Sequence, residues 1–167
     1  MKDARLAREY RDGLGFREAN IQLGRLAGQL SHRYPRMKIL EIGAGTGGAT
    51  RQVLGNLAGL ESYTFTDISS GFFEAARGLF DGHVFEGKME YKVLDIEQEI
   101  GDEFGTFDLV VASCVLHATK NLEHTLRNCR RLLRPGGCLM LLEVVNPDLL
   151  GPGFIFGTLA GWWRWRP

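Results

Sequence analysis

The stretch of sequence that decides the fold is ILEIGAGTGG, at residues 39–48. Short apolar side chains typical of a strand run directly into a glycine-rich turn, and residues 48–57 can then form a helix. Glycine lets a backbone turn sharply and approach a ligand closely. The stretch therefore predicts a strand, a ligand-binding turn and a helix. Since Gly43, Gly45 and Gly48 also satisfy the GxGxxG pattern of dinucleotide-binding proteins, the turn alone does not identify the ligand.

Strand and helix patterns alternate outward from this stretch. Besides the helix over 48–57, an amphipathic helix is predicted over 16–33, with Leu23, Leu26 and Leu30 on its apolar face. Another is predicted after Ser69 or Ser70 and another over 121–134, where a Pro-Gly-Gly sequence ends it. Strands are predicted at 37–42, 61–68, 89–96, 107–113 and 138–145. The fourth is almost entirely apolar, as expected of a parallel strand buried on both faces. The pattern predicts an α/β fold with an open, doubly wound, mostly parallel sheet.

Three segments follow from this pattern. Residues 1–35 form a helical segment, residues 36–146 the core, and residues 147–167 a tail rich in glycine and aromatic side chains. Aromatic side chains at that density usually belong to a core or an interface. We expect the tail to cover an edge of the sheet or to be loosely placed.

Composition excludes several classes of protein. The chain has 167 residues, of which 44% are hydrophobic and 24% charged, as in one ordinary globular domain. Its net charge of zero does not favour nucleic-acid binding. The three cysteines have no CxxC spacing and the histidines form no close pair, which argues against disulfides and a metal site and favours a cytoplasmic location. The most apolar stretch, 149–163, is too short and too broken by glycine for a membrane span.

In an open parallel sheet, ligands bind outside the carboxyl ends of the strands. Glu41 precedes Gly43 and would repel a pyrophosphate, but it could orient the turn around a cationic ligand. Asp67 ends the second strand and could accept ribose hydroxyls, although a helix N-cap is the competing interpretation. Asp95 ends the third strand and could receive an adenine amino group while Ile96 packs on the ring. A simple turn at the end of the strand explains Asp95 equally well.

Two further side chains suggest acid–base chemistry. A carboxylate such as Glu143 within an apolar strand is costly unless it is hydrogen-bonded. If strands four and five are adjacent, Glu143 could accept from one ring nitrogen of His117, which would fix the tautomer of the ring and raise its basicity. A lone histidine is nevertheless often structural. Cys114 nearby could be a nucleophile, but a small buried apolar residue is the more common role.

Together these segments resemble a known family. ILEIGAGTGG, TFTDIS, LDIE, FDLVVASCVLHAT and LLRPGG occur in the order found in class I S-adenosylmethionine-dependent methyltransferases, whereas a nicotinamide dehydrogenase would share only the first. The match spans about residues 37–145. A closer resemblance is to the carbon-methylating domain of fungal highly reducing polyketide synthases. It rests on LEIGAGTGG, on LHAT with its histidine, on LLRPGG followed by a strand with a glutamate, and on the tail sequence FGTLAGWW.

The resemblance implies a Rossmann-like fold, S-adenosylmethionine as cofactor and S-adenosylhomocysteine as product. It implies that His117 removes a proton from the α-carbon of a β-ketoacyl thioester, with Glu143 as its partner. The thioester would be carried by the phosphopantetheine arm of an acyl carrier protein, among the neighbouring domains of a multifunctional synthase of secondary metabolism. No metal, nucleic acid or membrane is implied. The expected cofactor-binding residues are Glu41, Gly43, Ala44, Gly45, Gly47, Asp67, Ile68, Asp95, Ile96 and Ser113.

The chain departs from the family pattern at both ends. Only 22 residues follow Val145, so two further strands usual in the fold have no room, and residues 1–35 correspond to the last helices of a larger N-terminal lid. These departures keep a non-catalytic cofactor-binding or structural domain open as an alternative. An O- or N-methyltransferase of a free small molecule could use a similar histidine and is the other alternative.

Overall fold

A computed structural model describes residues 16–144, which form a parallel sheet in the order β3-β2-β1-β4-β5. The strands are β1 (Lys38–Ile42), β2 (Ser62–Asp67), β3 (Met89–Val93), β4 (Phe107–Ser113) and β5 (Leu133–Leu142). The strand order changes direction between β1 and β4, and this switch point is where doubly wound sheets bind ligands. The predicted α/β fold with a doubly wound parallel sheet is confirmed.

The helices are α1 (Phe16–Arg33), α2 (Gly48–Leu54), α3 (Phe73–Phe80) and α4 (Leu122–Leu132). Single 3-10 turns lie at Ser70–Phe72, Glu86–Lys88, Asp102–Phe104 and Leu116–Ala118. Of the two predicted caps, Ser69 is the observed one, since its side chain accepts from the Gly71 N–H. No helix among residues 16–144 is long and apolar enough to cross a membrane.

Several predicted boundaries are wrong. The helix predicted over 48–57 ends at Leu54, and the fifth strand ends at Leu142, so Glu143 lies directly after this strand and not within it.

Two further boundaries differ for identifiable reasons. The third strand ends at Val93 rather than at residue 96, because Asp95 accepts from the Glu97 N–H and turns the chain out of the sheet. The fifth begins at Leu133 rather than at 138, so Pro135 lies inside β5 instead of between elements. The register between β4 and β5 is irregular there. Since β5 is at the edge of the described sheet, a proline without an N–H is tolerated.

Helices cover both faces of the sheet. On one face, α1, α2 and α3 share an apolar cluster with alternate residues of the central strands, among them Ile39 and Val111. On the other face, α4 packs with the intervening residues, among them Leu40 and Val110. The core therefore lies in two layers, one on each face of the sheet. Both layers leave the carboxyl ends of the strands exposed.

The buried face of α1 differs from the predicted one. The sequence pattern places Leu26 on the apolar face, but Leu26 is 52% exposed, while the polar Asn20 is buried. The reason is close helix packing: a Cβ on Gly24 would lie 2.4 Å from the Gln52 carbonyl oxygen, and one on Gly28 would lie 2.7 Å from that of Asn56. The face of α1 that carries the two glycines therefore packs on α2. Asn20 lies on the same face and is buried with it.

The segments 1–15 and 145–167 lie outside the described residues. The first part of the expected lid remnant, the last residue of the predicted fifth strand and the aromatic tail therefore remain predictions from the sequence.

We predict that Gly24→Ala lowers the free energy of unfolding by about 1–3 kcal/mol, because the new methyl group must push α1 away from backbone atoms of α2. Gly78→Ala in α3 is the matched control, since a Cβ there meets nothing within 4 Å. It should raise stability by about 0.5–1 kcal/mol, the usual gain for replacing a helical glycine. Urea unfolding of both variants measures this, and a Gly24→Ala protein as stable as the unsubstituted one would contradict the packing.

Candidate active site

The glycine-rich turn after β1 forms the centre of the site. Gly43 has a φ of 62°, in the left-handed region that favours glycine, and a Cβ there would lie 2.6 Å from Cγ2 of Val115. The Ala44 N–H donates to the Thr66 carbonyl oxygen over 2.8 Å. The turn is therefore held against β2 on one side and against the segment after β4 on the other.

Glu41 lies beneath this turn and is 1% exposed. Its Oε2 accepts from the Thr50 hydroxyl at 2.6 Å and from the Tyr63 hydroxyl at 2.5 Å. Burial raises the pKa of Glu41 from its ordinary value of 4.5 to about 7, although these two hydrogen bonds oppose the shift. Bringing a cation to this carboxylate would restore its ionised form.

Asp67 is the last residue of β2, and Asp95 lies two residues after the end of β3. The Asp67 Oδ2 accepts from the Gly45 N–H at 3.0 Å, and its Oδ1 accepts from the Ser69 N–H at 2.9 Å. The cap of the following turn is Ser69, so the N-cap interpretation of Asp67 is wrong. Asp95 does form the turn expected at the end of a strand. Because each carboxylate oxygen can accept more than one hydrogen bond, both aspartates retain capacity for a ligand.

Two neighbouring cavities open at this edge, and the structure divides the predicted cofactor residues between them. Glu41, Ala44, Gly45 and Ser113 line the first cavity, and Asp67, Ile68, Asp95 and Ile96 line the second. Gly43 lines both. Gly47 lines neither and instead precedes α2 as its N-cap. The cavities thus adjoin at the glycine turn, as two ends of one elongated ligand require.

Two residues of α1 belong to the site although the sequence pattern did not indicate them. Phe16 and Asn20 both line the first cavity, and Asn20 accepts from the Ser113 hydroxyl at 2.9 Å. The available signal was a polar side chain next to the apolar positions of an amphipathic helix. Interpreting this signal requires knowing which face of α1 is buried. The contact of Gly24 and Gly28 with α2 determines that face.

His117 and Glu143 come together where β4 and β5 end. His117 lies in the 3-10 turn after β4, and its Nδ1 is 2.6 Å from Oε2 of Glu143, directly after β5. The other oxygen, Oε1, accepts from the N–H groups of Val115 at 3.1 Å and Leu116 at 2.7 Å. The predicted juxtaposition is observed because β4 and β5 are neighbours. A carboxylate held by two backbone donors fixes the orientation of the ring that it bonds.

Cys114 connects the two halves of the site. Its φ of 56° is the one positive value among non-glycine residues of the described chain. Its N–H donates to the Leu142 carbonyl oxygen at 2.7 Å. Burial, and next the charge of Glu143, raise the pKa of the Cys114 thiol to about 12. The thiol therefore stays protonated at neutral pH, which argues against the nucleophile, and Cys114 is partly buried.

Comparison with known proteins identifies the family. The model of a methyltransferase domain matches residues 40–139. The chain belongs to this methyltransferase family. The PKS-NRPS hybrid synthetase cheA of Chaetomium globosum is 53% identical over 167 residues, an alignment that covers 98% of this chain and 4% of that protein. This methyltransferase domain therefore spans a small fraction of the length of such a relative.

Solved structures agree with the family. The citrinin polyketide synthase CMeT domain is 35% identical, with a TM-score of 0.83, and the match covers 95% of this chain and 43% of that one. The trans-methyltransferase CalH, solved in complex with S-adenosylhomocysteine, is 39% identical with a TM-score of 0.77 and covers 98% of this chain and 46% of that one. The domain is an S-adenosylmethionine-dependent methyltransferase, as the sequence resemblance implied.

The residues present fit this cofactor. The site combines a glycine turn that a Cβ would obstruct, a buried acid beneath it, and carboxylates after β2 and β3. A sulfonium amino acid joined to a nucleoside offers a cationic group, ribose hydroxyls and an adenine amino group to such acids. The donor set therefore suits the methyl donor better than a pyrophosphate-containing dinucleotide.

We predict that stability falls as the pH rises from about 4.5 to about 7, owing to Glu41. In this range the folded protein keeps the proton that the unfolded chain has released, so the unfolded state binds fewer protons and a rise in pH favours unfolding. Glu41→Gln, which cannot ionise but can still accept from Tyr63, should lack this contribution. Urea unfolding across the range measures the difference between the two pH profiles, and parallel profiles would contradict the raised pKa.

We predict that Cys114→Gly is more stable than Cys114→Ala by about 1 kcal/mol, because only glycine is unstrained at a left-handed position. The opposite order is expected in β4, where Ala112→Gly should cost about 0.5–1 kcal/mol. Chemical unfolding compares the three variants. If alanine at position 114 proves as stable as glycine, the left-handed turn is not under strain.

Proposed function

We propose that this domain methylates the α-carbon of a β-ketoacyl thioester carried by the phosphopantetheine arm of an acyl carrier protein. The observation that carries the proposal is the 2.6 Å contact between Nδ1 of His117 and Oε2 of Glu143 at the carboxyl edge of the sheet. The likeness to the citrinin polyketide synthase CMeT domain supports it. The carrier protein and neighbouring synthase domains belong to the same proposal.

The proposed methyl transfer requires the protein to supply a base, and not an acid. When bound, S-adenosylmethionine supplies a methyl group that is already electrophilic, because its sulfur is positively charged. The chain must generate the nucleophile by removing a proton from the carbon between a ketone and a thioester. Such a proton is acidic enough for a neutral imidazole near pH 7.

His117 is the proposed base. With Glu143 accepting the hydrogen bond of the Nδ1–H group, the basic lone pair of the ring lies on Nε2. Nε2 takes the proton of the α-carbon, and the electron pair of that C–H bond becomes the enolate. The new carbon–carbon bond forms with that pair, while the pair of the sulfur–methyl bond stays with sulfur. Glu143 stabilises the imidazolium cation and holds the ring in position throughout.

The same proposal assigns the cofactor. The second cavity would hold the adenosine part, with Asp67 at the ribose hydroxyls, Asp95 at the adenine amino group and Ile96 against the ring. The first cavity would hold the methionyl part, with Glu41 on the side of its ammonium group. In this arrangement the methyl group would be available to an acceptor beside the turn after β4, where His117 lies.

We predict that His117→Ala lowers the rate of methyl transfer to a β-ketoacyl pantetheine thioester by about 10²–10⁴-fold, the usual contribution of a positioned base. Affinity for S-adenosylhomocysteine should change by less than about twofold, since His117 is not among the residues that line the two cavities. Mass spectrometry of the product in the full-length protein measures transfer. Exchange of the α-proton in heavy water without cofactor measures the proton step alone and should fall in parallel.

His32→Ala is the matched control, since this histidine is exposed at the end of α1. An unchanged rate in His117→Ala would rule out its role as base. Transfer to an untethered hydroxyl or amine, but not to the thioester, would indicate an O- or N-methyltransferase. Binding of S-adenosylhomocysteine with no transfer to any acceptor would indicate a domain without turnover.

A further inference from the structure

Asn20 is a buried polar residue that no role described so far explains. It lies in α1, is 5% exposed, and lines the first cavity together with Glu41 and Gly45. Its Oδ1 accepts from the hydroxyl of Ser113, the last residue of β4. A helix that precedes the whole sheet thereby contributes a side chain to the carboxyl edge.

In the structure the amide of Asn20 is oriented with Oδ1, and not Nδ2, toward the Ser113 hydroxyl. Because the hydroxyl donates to Oδ1, the Nδ2 group keeps both of its N–H donors for other partners. Within residues 16–144 no protein acceptor bonds to Nδ2 of Asn20. A buried amide donor without an acceptor is unfavourable, and such groups in folded proteins normally have a partner. Since Asn20 lines a cavity, a bound ligand is the natural source of the acceptor.

The chemistry of the cavity lining identifies the acceptor. Among the described residues that line it, Glu41 is the one ionisable carboxylate, and neither lysine nor arginine is present. A ligand group that carries an ammonium beside a carboxylate would place its cation near Glu41. Its carboxylate would then need neutral donors, and the amide of Asn20 is such a donor.

We propose that Asn20 binds the carboxylate of the methionyl end of S-adenosylmethionine through Nδ2, and that Ser113 is the positioning residue that fixes the amide. The inference rests on the assignment of the first cavity to the methionyl part and is independent of the methyl acceptor. Gly24 and Gly28 contribute indirectly, since their close contact with α2 holds Asn20 at the cavity. The first helix is therefore part of the cofactor site.

The test removes the carboxylate from the ligand as well as the amide from the protein. Calorimetry with the full-length protein compares S-adenosylhomocysteine with its decarboxylated analogue, which keeps the amine and loses only the carboxylate. Asn20→Leu should weaken binding of S-adenosylhomocysteine about tenfold to a hundredfold, the range for a hydrogen bond to a charged group. Binding of the decarboxylated analogue should change by less than about twofold.

Asn20→Asp provides a second variant of nearly the same shape that can still accept from Ser113. Its carboxylate would repel that of the ligand, so it should weaken S-adenosylhomocysteine more than Asn20→Leu does and should prefer the decarboxylated analogue. Ser113→Ala should give a smaller loss confined to S-adenosylhomocysteine. Affinity for the analogue also reports whether each variant is folded.

Equal losses for both ligands in Asn20→Asp would overturn the proposal, because the residue would then act on the structure rather than on the carboxylate. Unchanged affinity for both would overturn it too. Neither result tests the proposed methyl acceptor. That part of the proposed function is tested by exchange of the α-proton at His117, which is measured without cofactor. Absence of that exchange in the unsubstituted protein, with intact ligand discrimination by Asn20, would count against the proposed function alone.

Discussion

Four carboxylates lie at the carboxyl edge of one parallel sheet, and withdrawing them wholly or partly from water without leaving any unpaired is the constraint on which this structure depends. Asp95 accepts from the Glu97 N–H. Glu41 is bonded by two hydroxyl groups, Asp67 by two backbone N–H groups, and Glu143 by two backbone N–H groups and a histidine ring. An unpaired carboxylate in such surroundings would cost several kcal/mol or take up a proton. Apart from local bonds such as that from the Ser69 N–H to Asp67, these hydrogen bonds join different elements, so the contacts that satisfy the acids also hold the edge together.

The constraint also divides the edge into two working halves. Around β1, β2 and β3 the acids and the glycine turn form a pocket suited to a cationic amino acid joined to a nucleoside. Around β4 and β5, His117 is paired with Glu143, and this pair is the proposed base. The halves touch where Val115 packs against Gly43, and Cys114 lines both cavities. A methyl donor in one half and an acidic carbon in the other would thus face each other across a single turn.

Glu41 illustrates why the acids are not interchangeable. Its surroundings raise its pKa to about 7, whereas Glu143 is half-buried and bonded by a ring that can itself carry charge. A carboxylate that shares its site with two neutral hydroxyls is costly to ionise until a cation arrives. One beside an imidazole is suited to stabilising the charge that proton transfer creates. Glu41 and Glu143 are the same residue type, so the difference between their roles comes from their burial and their hydrogen-bond partners.

Much of the architecture followed from local pattern. The alternation of strands and helices, the glycine turn and the acids that end β1 to β3 are encoded within a few residues each, so the sequence alone determined the fold class and most cofactor candidates. Boundaries near β3 and β5 were harder, because Asp95 turns the chain by a side-chain hydrogen bond and Pro135 is tolerated by an edge position. Neither effect appears in a hydrophobic pattern.

Only the tertiary structure decided which residues meet. The pairing of His117 with Glu143 depends on β4 lying beside β5, and the left-handed Cys114 lies directly before the N–H groups that bond Glu143. The place of Asn20 in the site depends on which face of α1 packs on α2. The apolar pattern predicts the face that carries Leu26, but Leu26 is exposed in the structure. The local sequence specifies which secondary structure each segment prefers. Contacts between segments distant along the chain arise from packing, because shape and close approach of backbones determine which faces are buried.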